Sequence, residues 1–367
     1  MDFEWVAIAF GDVAWITLAF GLGFLARLIS LPPLAGFLAT GFVLNYFGIT
    51  SGETLQKLAD LGITLLLFTV GLKLNIKTLA RPQVWSVTAL HTSIITLLFG
   101  AAIFGLSHTA APLFSALDLK FSLMIAFALS FSSTVFVVKM LEEKGGMKSL
   151  HGQIAMGILI MQDLAAVIFL AASTQKLPSV WAMLLVFIFP LRPLLHRLLE
   201  RTGHGELLVL YGLVLALGGA ELFELAGVKD DLGALAMGLL ISTHPRSKEM
   251  ANSMLSLKDL FLVGFFLSIG MTGQLSATTL IIGLLLVPFI FIKSAVFFVL
   301  MTRFSLRART SMLGTLNLTN YSEFGLIVAA IGVANGWIAN DWLVAIAIAT
   351  SISFMVATPL NRLDDKV

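Results

Sequence analysis

The chain of 367 residues contains no cysteine. Disulfides, thiolate chemistry and cysteine-based metal sites are therefore excluded. Charge is scarce as well: Asp, Glu, Lys and Arg make up 12% of the residues, against about 25% in a soluble domain. The net charge of +2 says nothing about a partner. No basic run resembles a nucleic-acid-binding segment, and no glycine-rich nucleotide fingerprint sits at a strand-to-helix turn. What is abundant is apolar: 58% hydrophobic residues and a mean hydropathy of +0.97. Because the apolar runs recur along the whole length, the composition describes an all-α polytopic membrane protein. The first run, Trp5–Ile29, holds Asp12, exceeds a signal-peptide core and has no small-residue cleavage site after it, so it reads as a retained helix.

Breaks at Gly, Pro and charge clusters divide the chain into thirteen predicted spans. They lie near 5–29, 32–48, 56–74, 83–107, 121–142, 150–174, 179–200, 206–226, 231–243, 252–273, 279–302, 308–335 and 339–360. Most basic residues fall in odd-numbered connections, such as Lys139, Lys144 and Lys148 or Arg303, Arg307 and Arg309. The even-numbered ones carry only Lys57, Lys120, Lys176 and Lys229. Basic residues mark the cytoplasmic side, which puts the N-terminus outside and the C-terminus in the cytoplasm.

Asp163 stands in the apolar run Ile158-Leu159-Ile160-Met161-Gln162-Asp163-Leu164-Ala165-Ala166-Val167-Ile168. A carboxylate at that depth is expensive, and such residues mark ion or proton pathways. The residue points to an ion-coupled transporter.

Two stretches repeat. Gly36–Leu44 resembles Gly233–Ile241 at an offset of 197, and Phe68–Leu72 resembles Leu267–Met271 at 199. The reading is a duplication: a first repeat over about 5–174, a linking helix at about 179–200, and a second repeat over about 206–360. Copies seven spans apart have opposite orientation, and inverted repeats characterise secondary transporters whose ion site lies near the midplane. Spans 5 and 12 hold equivalent places in the repeats, and both carry polar clusters: Ser130–Thr134 and Asn317–Glu323. They read as broken helices crossing at the site, with half-helix ends turned towards it. For span 5 alone, ordinary hydroxyl back-bonding in an intact helix is an equal reading.

Several stretches together resemble the membrane domain of Kef-type potassium:proton antiporters, in the cation:proton antiporter-2 family. They are Leu66–Leu72, Leu129–Thr134, Met161–Ala166, Lys258-Asp259-Leu260-Phe261 with Phe265–Met271, and Glu323-Phe324. The Gln162-Asp163 pair is the most specific of them. The resemblance implies a sodium/proton-antiporter-like fold with a core domain of broken helices, a separate dimerisation domain and a homodimer. It also implies that Lys293 pairs with Asp163 when no cation is bound. Ser322 departs from the family, which usually has Gly before that glutamate. A cytoplasmic nucleotide-binding domain, common in the family, is not within these residues, and the resemblance admits a regulatory domain or subunit as partner.

The expected activity is exchange of a monovalent cation, K⁺ in preference to Na⁺, for H⁺ in a cell inner membrane. Asp163 would bind the cation when ionised and release it when protonated. Gln162 offers a carbonyl ligand or a hydrogen bond to backbone. Ser132, Ser133 and Thr134 offer hydroxyl or freed carbonyl oxygens. Glu323 balances a positive helix end or is a second ligand, and Asn320 serves the same region. No cofactor is expected, and the partners are the two ions, membrane lipid and a second copy. The alternatives are a sodium-coupled solute symporter and a non-transporting membrane sensor. The first would want an organic-substrate pocket, and the second has no use for a buried Asp and Lys in paired repeats.

Overall fold

The computed structural model describes residues 4–29, 33–49, 52–73, 81–109, 113–115, 117–173, 188, 190–228, 230–272 and 275–362. Every regular element among them is helical. In chain order they are α1 (Glu4–Leu28), α2 (Pro33–Tyr46), α3 (Glu53–Lys73), α4 (Pro82–Ser107), α5 (Leu119–Ser130), α6 (Thr134–Glu143) and α7 (Leu150–Ser173). There follow α8 (Arg192–Arg201), α9 (Glu206–Leu225), α10 (Asp230–Ile241), α11 (Ser247–Ser253) and α12 (Leu255–Thr272). The last are α13 (Ala277–Leu286), α14 (Phe289–Arg303), α15 (Ala308–Leu318), α16 (Glu323–Ala334) and α17 (Asn340–Arg362).

Local chemistry sets many of the starts. Pro33 and Pro82 open α2 and α4, where a missing N–H costs nothing. Asp118 caps α5 by accepting from the Phe121 N–H at 2.9 Å. Ser276 and Thr279 cap α13 reciprocally.

Among the described residues seven helical stretches are long and apolar enough to cross a bilayer, counting Leu119–Val138 and Ala277–Arg303 as one each, or eight if α11 and α12 form one bent span. Helix length alone thus gives fewer full crossings than the thirteen expected. α2, α10 and α16 have 14, 12 and 12 residues, short of the roughly 20 that the hydrocarbon core needs. Three of the expected spans take the following form. The tenth span does not begin as one straight helix: α11 precedes α12 at an angle of 47°. The eleventh is one apolar stretch, Ala277–Arg303, with a local interruption at Val287-Pro288 between α13 and α14. Of the seventh, residues 179–187 and 189 lie outside the described residues, and its later part is seen, ending in α8.

The chain packs as two compact units, one of Met1–Ser51, Arg81–Gln162 and Phe266–Val367, the other of Gly52–Ala80 and Asp163–Phe265. In the first, α1 lies on α2, α4 on α5 and α14, α15 on α14, and α16 on α5 and α17. Its core includes Val137, Ile158, Phe297, Met301 and Phe354. In the second, α10 packs against α3 and α9 around Leu65, Phe68, Leu215, Met237 and Met254.

Among the close approaches of bare backbone on backbone, one in each unit involves the repeated motifs. In the first, a Cβ placed on Gly41 would lie 2.7 Å from the Gly270 Cα and 2.4 Å from the Leu267 carbonyl oxygen. In the second, a Cβ on Gly71 would lie 3.0 Å from the Gly238 Cα and 2.4 Å from the Leu235 carbonyl oxygen. Membrane helices gain little from the hydrophobic effect against one another, so close contact between small residues is what holds such pairs.

Candidate functional site

The helical ladder stops at two places in the first unit. Phe131, Ser132 and Ser133 separate α5 from α6, and Thr319–Ser322 separates α15 from α16. The expected breaks are Ser132–Thr134 and Asn317–Ser322; the first lies one residue earlier, because Thr134 already heads α6, and the second is two residues shorter, because Asn317 and Leu318 end α15. Each break frees N–H and C=O groups that hydrocarbon cannot satisfy. Their partners are side chains from both breaks and from three neighbouring helices.

Gln162 of α7 serves the first break at both edges. Its Oε1 accepts from the Ser132 N–H at 3.0 Å, and its Nε2 donates to the Ser130 carbonyl at 3.1 Å. Ser132 Oγ donates to the Leu318 carbonyl at 2.9 Å, and Asn320 Oδ1 accepts from the Ser133 N–H at 2.6 Å. The breaks are therefore stitched to each other. Asn320 Nδ2 closes on the Asn317 carbonyl at 2.8 Å, and the Tyr321 N–H donates to Ser353 Oγ of α17 at 3.0 Å.

Lys293 of α14 completes the set. Its Nζ donates to the Asn320 carbonyl at 2.7 Å and to the Phe131 carbonyl, one oxygen from each break. It also lies 5.3 Å from the centroid of the Tyr321 ring, where the π face adds attraction for a cation. The C-terminal ends of α5 and α15 carry partial negative charge, so a side chain at those carbonyls compensates two helix ends at once. Glu323 is the first residue of α16, where the end is positive, and Ser322 caps the same helix through the Phe324 N–H at 3.1 Å. Lys293, expected as the ion-pair partner of Asp163, thus donates to main-chain carbonyls, and Glu323 lies at the first turn of a helix. Ser322, where the resembling family has Gly, supplies the cap.

Gln162, Ser132, Ser133, Asn320 and Lys293 are all fully buried, and Glu323 is 2% exposed. Thr134 is half-buried at the head of α6. Asp163 follows Gln162 in α7 and is 3% exposed, although it falls in the second unit. Asp12 has its side chain outside the described residues. Sequence reasoning missed Ser353, and its signal was the hydroxyl run Thr350-Ser351-Ile352-Ser353 in the last span. It also missed that Lys293 is held by main-chain oxygens, which leave no mark in a sequence.

Buried, fixed oxygens on unwound backbone, with the Gln162 amide carbonyl beside them, are of the kind a dehydrated monovalent cation takes in place of its water shell. Gln162 Oε1 keeps a second lone pair after serving Ser132.

Over 353 residues the chain is 30% identical to YbaL of Escherichia coli K12, named as a candidate cation/proton antiporter, covering 88% of this chain and 62% of that protein. It is 27% identical to the glutathione-regulated potassium-efflux system protein KefC of Shigella flexneri, covering 92% and 58%. The chain thus spans about three fifths of the length of these relatives, which are transporters rather than enzymes. The sodium proton antiporter MjNhaP1 of Methanocaldococcus jannaschii shares the fold, with a TM-score of 0.64, 14% identity and 99% of both chains covered. Residues 15–362 match the transmembrane sodium/hydrogen exchanger family, and the chain belongs to that family.

Proposed function

We propose that the chain is a secondary antiporter exchanging a monovalent cation for H⁺ by competition at Asp163, with K⁺ preferred. The observation that carries the reading is Gln162. It ties α7 to the unwound backbone by two hydrogen bonds, and the next residue of that helix is a buried carboxylate. Ionised, Asp163 supplies the charge a cation requires; protonated, it releases it. The potassium preference rests on Gln162 in place of a second acid and on the printed function of the KefC relatives.

Two inverted six-helix repeats, making thirteen spans in all, are the architecture we attach to this function. The glycine contacts support it. Gly41 and Gly238 occupy matching places in the repeated motifs, as do Gly71 and Gly270, and each unit pairs one glycine of each kind. The N-terminus faces outward and the C-terminus the cytoplasm of a bacterial inner membrane. A homodimer and a cytoplasmic regulatory domain or subunit complete the proposal.

The test is cation-dependent proton flux in proteoliposomes, with K⁺, Na⁺, Li⁺ and Rb⁺ supplied separately. Asp163→Asn keeps shape and hydrogen bonding but neither charges nor titrates, and it should abolish exchange in a protein that still folds and inserts. Wild-type rates in that variant would overturn the mechanism.

A further inference from the structure

His91 of α4 is fully buried and takes no part in the network described above. Its ring lies flat on Phe297 of α14, with centroids 3.4 Å apart and planes 7° from parallel. Its Nε2 is 3.3 Å from the backbone carbonyl of Lys293. A carbonyl only accepts, so Nε2 carries the proton and Nδ1 is left with its lone pair. That Nδ1 has no hydrogen-bond partner among the described residues. A neutral buried nitrogen left without a partner is costly, so the ring is held in this pose by what its other side does. Eight residues further along α4, Phe99 meets Phe289 edge to face with centroids 4.8 Å apart. Lys293 lies midway between Phe289 and Phe297, one turn from each. α4 therefore grips α14 on both sides of Lys293 and takes the carbonyl of that residue between the two clasps.

We propose that His91 is a positioning residue for cation/proton exchange. By stacking on Phe297 and donating to the Lys293 carbonyl, it sets the turn of α14 from which the Lys293 ammonium reaches the carbonyls of Phe131 and Asn320. The inference rests on the antiport reading, in which the charge of Lys293 acts on the exchange site. The helices packed on α4 are α5 and α14. Their basic residues are Lys120 at the start of α5, and Lys293 and Arg303 on α14. Lys293 is the one that shares a helical turn with the His91 contacts.

The experiment is a double-mutant cycle read as the pH profile of exchange in proteoliposomes. His91→Phe keeps an aromatic ring for Phe297 and removes the donor, so it is built to fold. In the otherwise wild-type protein it should move the midpoint of the profile upwards by about 0.4 to 1 pH unit, the equivalent of one net hydrogen bond. This is the direction expected when a carboxylate loses a well-placed positive neighbour. In a Lys293→Ala background the same substitution should move nothing, because there is no ammonium left to place. No shift in the wild-type background, or an equal shift in both, overturns the inference and leaves His91 as packing. Should Lys293→Ala lack exchange, the same four proteins are compared by the rise in melting temperature that K⁺ produces, which needs no turnover. Asp163→Asn run alongside separates the two claims. Exchange persisting there defeats the antiport reading, whereas exchange lost there without coupling between His91 and Lys293 defeats only the positioning role.

Discussion

At the scale of single residues, the site separates charge from shape. Gln162 is the shape. Replacing it with leucine leaves the Ser132 N–H and the Ser130 carbonyl without their partners, a cost of about 1–3 kcal/mol for each buried group. Gln162→Leu should therefore lower the melting temperature in detergent as well as exchange, and unchanged stability would count against the clamp. Lys293 is charge. Lys293→Ala should be milder than Asp163→Asn and should shift the exchange profile to higher pH, as the resemblance to Kef-type proteins implies. A profile that stays in place removes Lys293 from the titration. One carboxylate in the Gln162-Asp163 pair means one proton or one cation per cycle, so exchange should be electroneutral. An imposed membrane potential that drives a cation gradient at zero pH gradient would contradict this. Asp163 was legible in the sequence because a lone acid interrupts an apolar run. The grip of His91 on Lys293 was not, since 202 residues separate them and a stacked imidazole looks like any other polar residue in a span.

At the scale of elements, the glycine contacts give a sharp contrast. Gly41→Ala puts a methyl 2.4 Å from a backbone oxygen of α12, and two helices have to separate to admit it. Overpacking of this kind costs about 1–3 kcal/mol or more. Gly105→Ala in α4 meets nothing within 4 Å and should be neutral or stabilising, by up to about 1 kcal/mol from helix propensity. Equal melting temperatures for the two variants would remove the packing argument. The helices themselves were readable because their apolar runs are long, and the two interruptions because hydroxyls and amides cluster there. The bend between α11 and α12 was not, because Met254 at the joint is neither glycine nor proline.

At the scale of the molecule, the absence of cysteine is experimentally useful. A single introduced thiol has no native competitor. Arg309→Cys and Asn335→Cys replace exposed residues at the start of α15 and just past the end of α16, which the charge pattern expects on opposite faces of the membrane. An impermeant maleimide applied to intact cells should label Cys at position 335 and reach position 309 only after the membrane is opened. The reverse pattern would invert the topology. Mass measurement in a mild detergent should give twice 39.6 kDa if the proposed dimer holds, and a monomer alone would exclude it. An expected orientation was readable from the sequence because basic residues count sides of a membrane. The number of subunits was not, because exposed apolar side chains such as Leu207, Leu210 and Val214 look the same against lipid as against a second chain.

The two oxygens that hold Lys293 belong to the main chain at positions 131 and 320. Every amino acid supplies the same carbonyl, so no codon change at either position can delete it. Heritable variation reaches this contact only from the other end, through the lysine, or indirectly through residues that steer the backbone, such as Gln162 and Ser132. A saturation library screened for altered ion preference should therefore be tolerant at Phe131 wherever bulk is kept, and should gather its hits on the steering side chains around it. The part of the site that touches charge is in this sense hidden from selection, while the scaffold that aims it is where the protein can evolve.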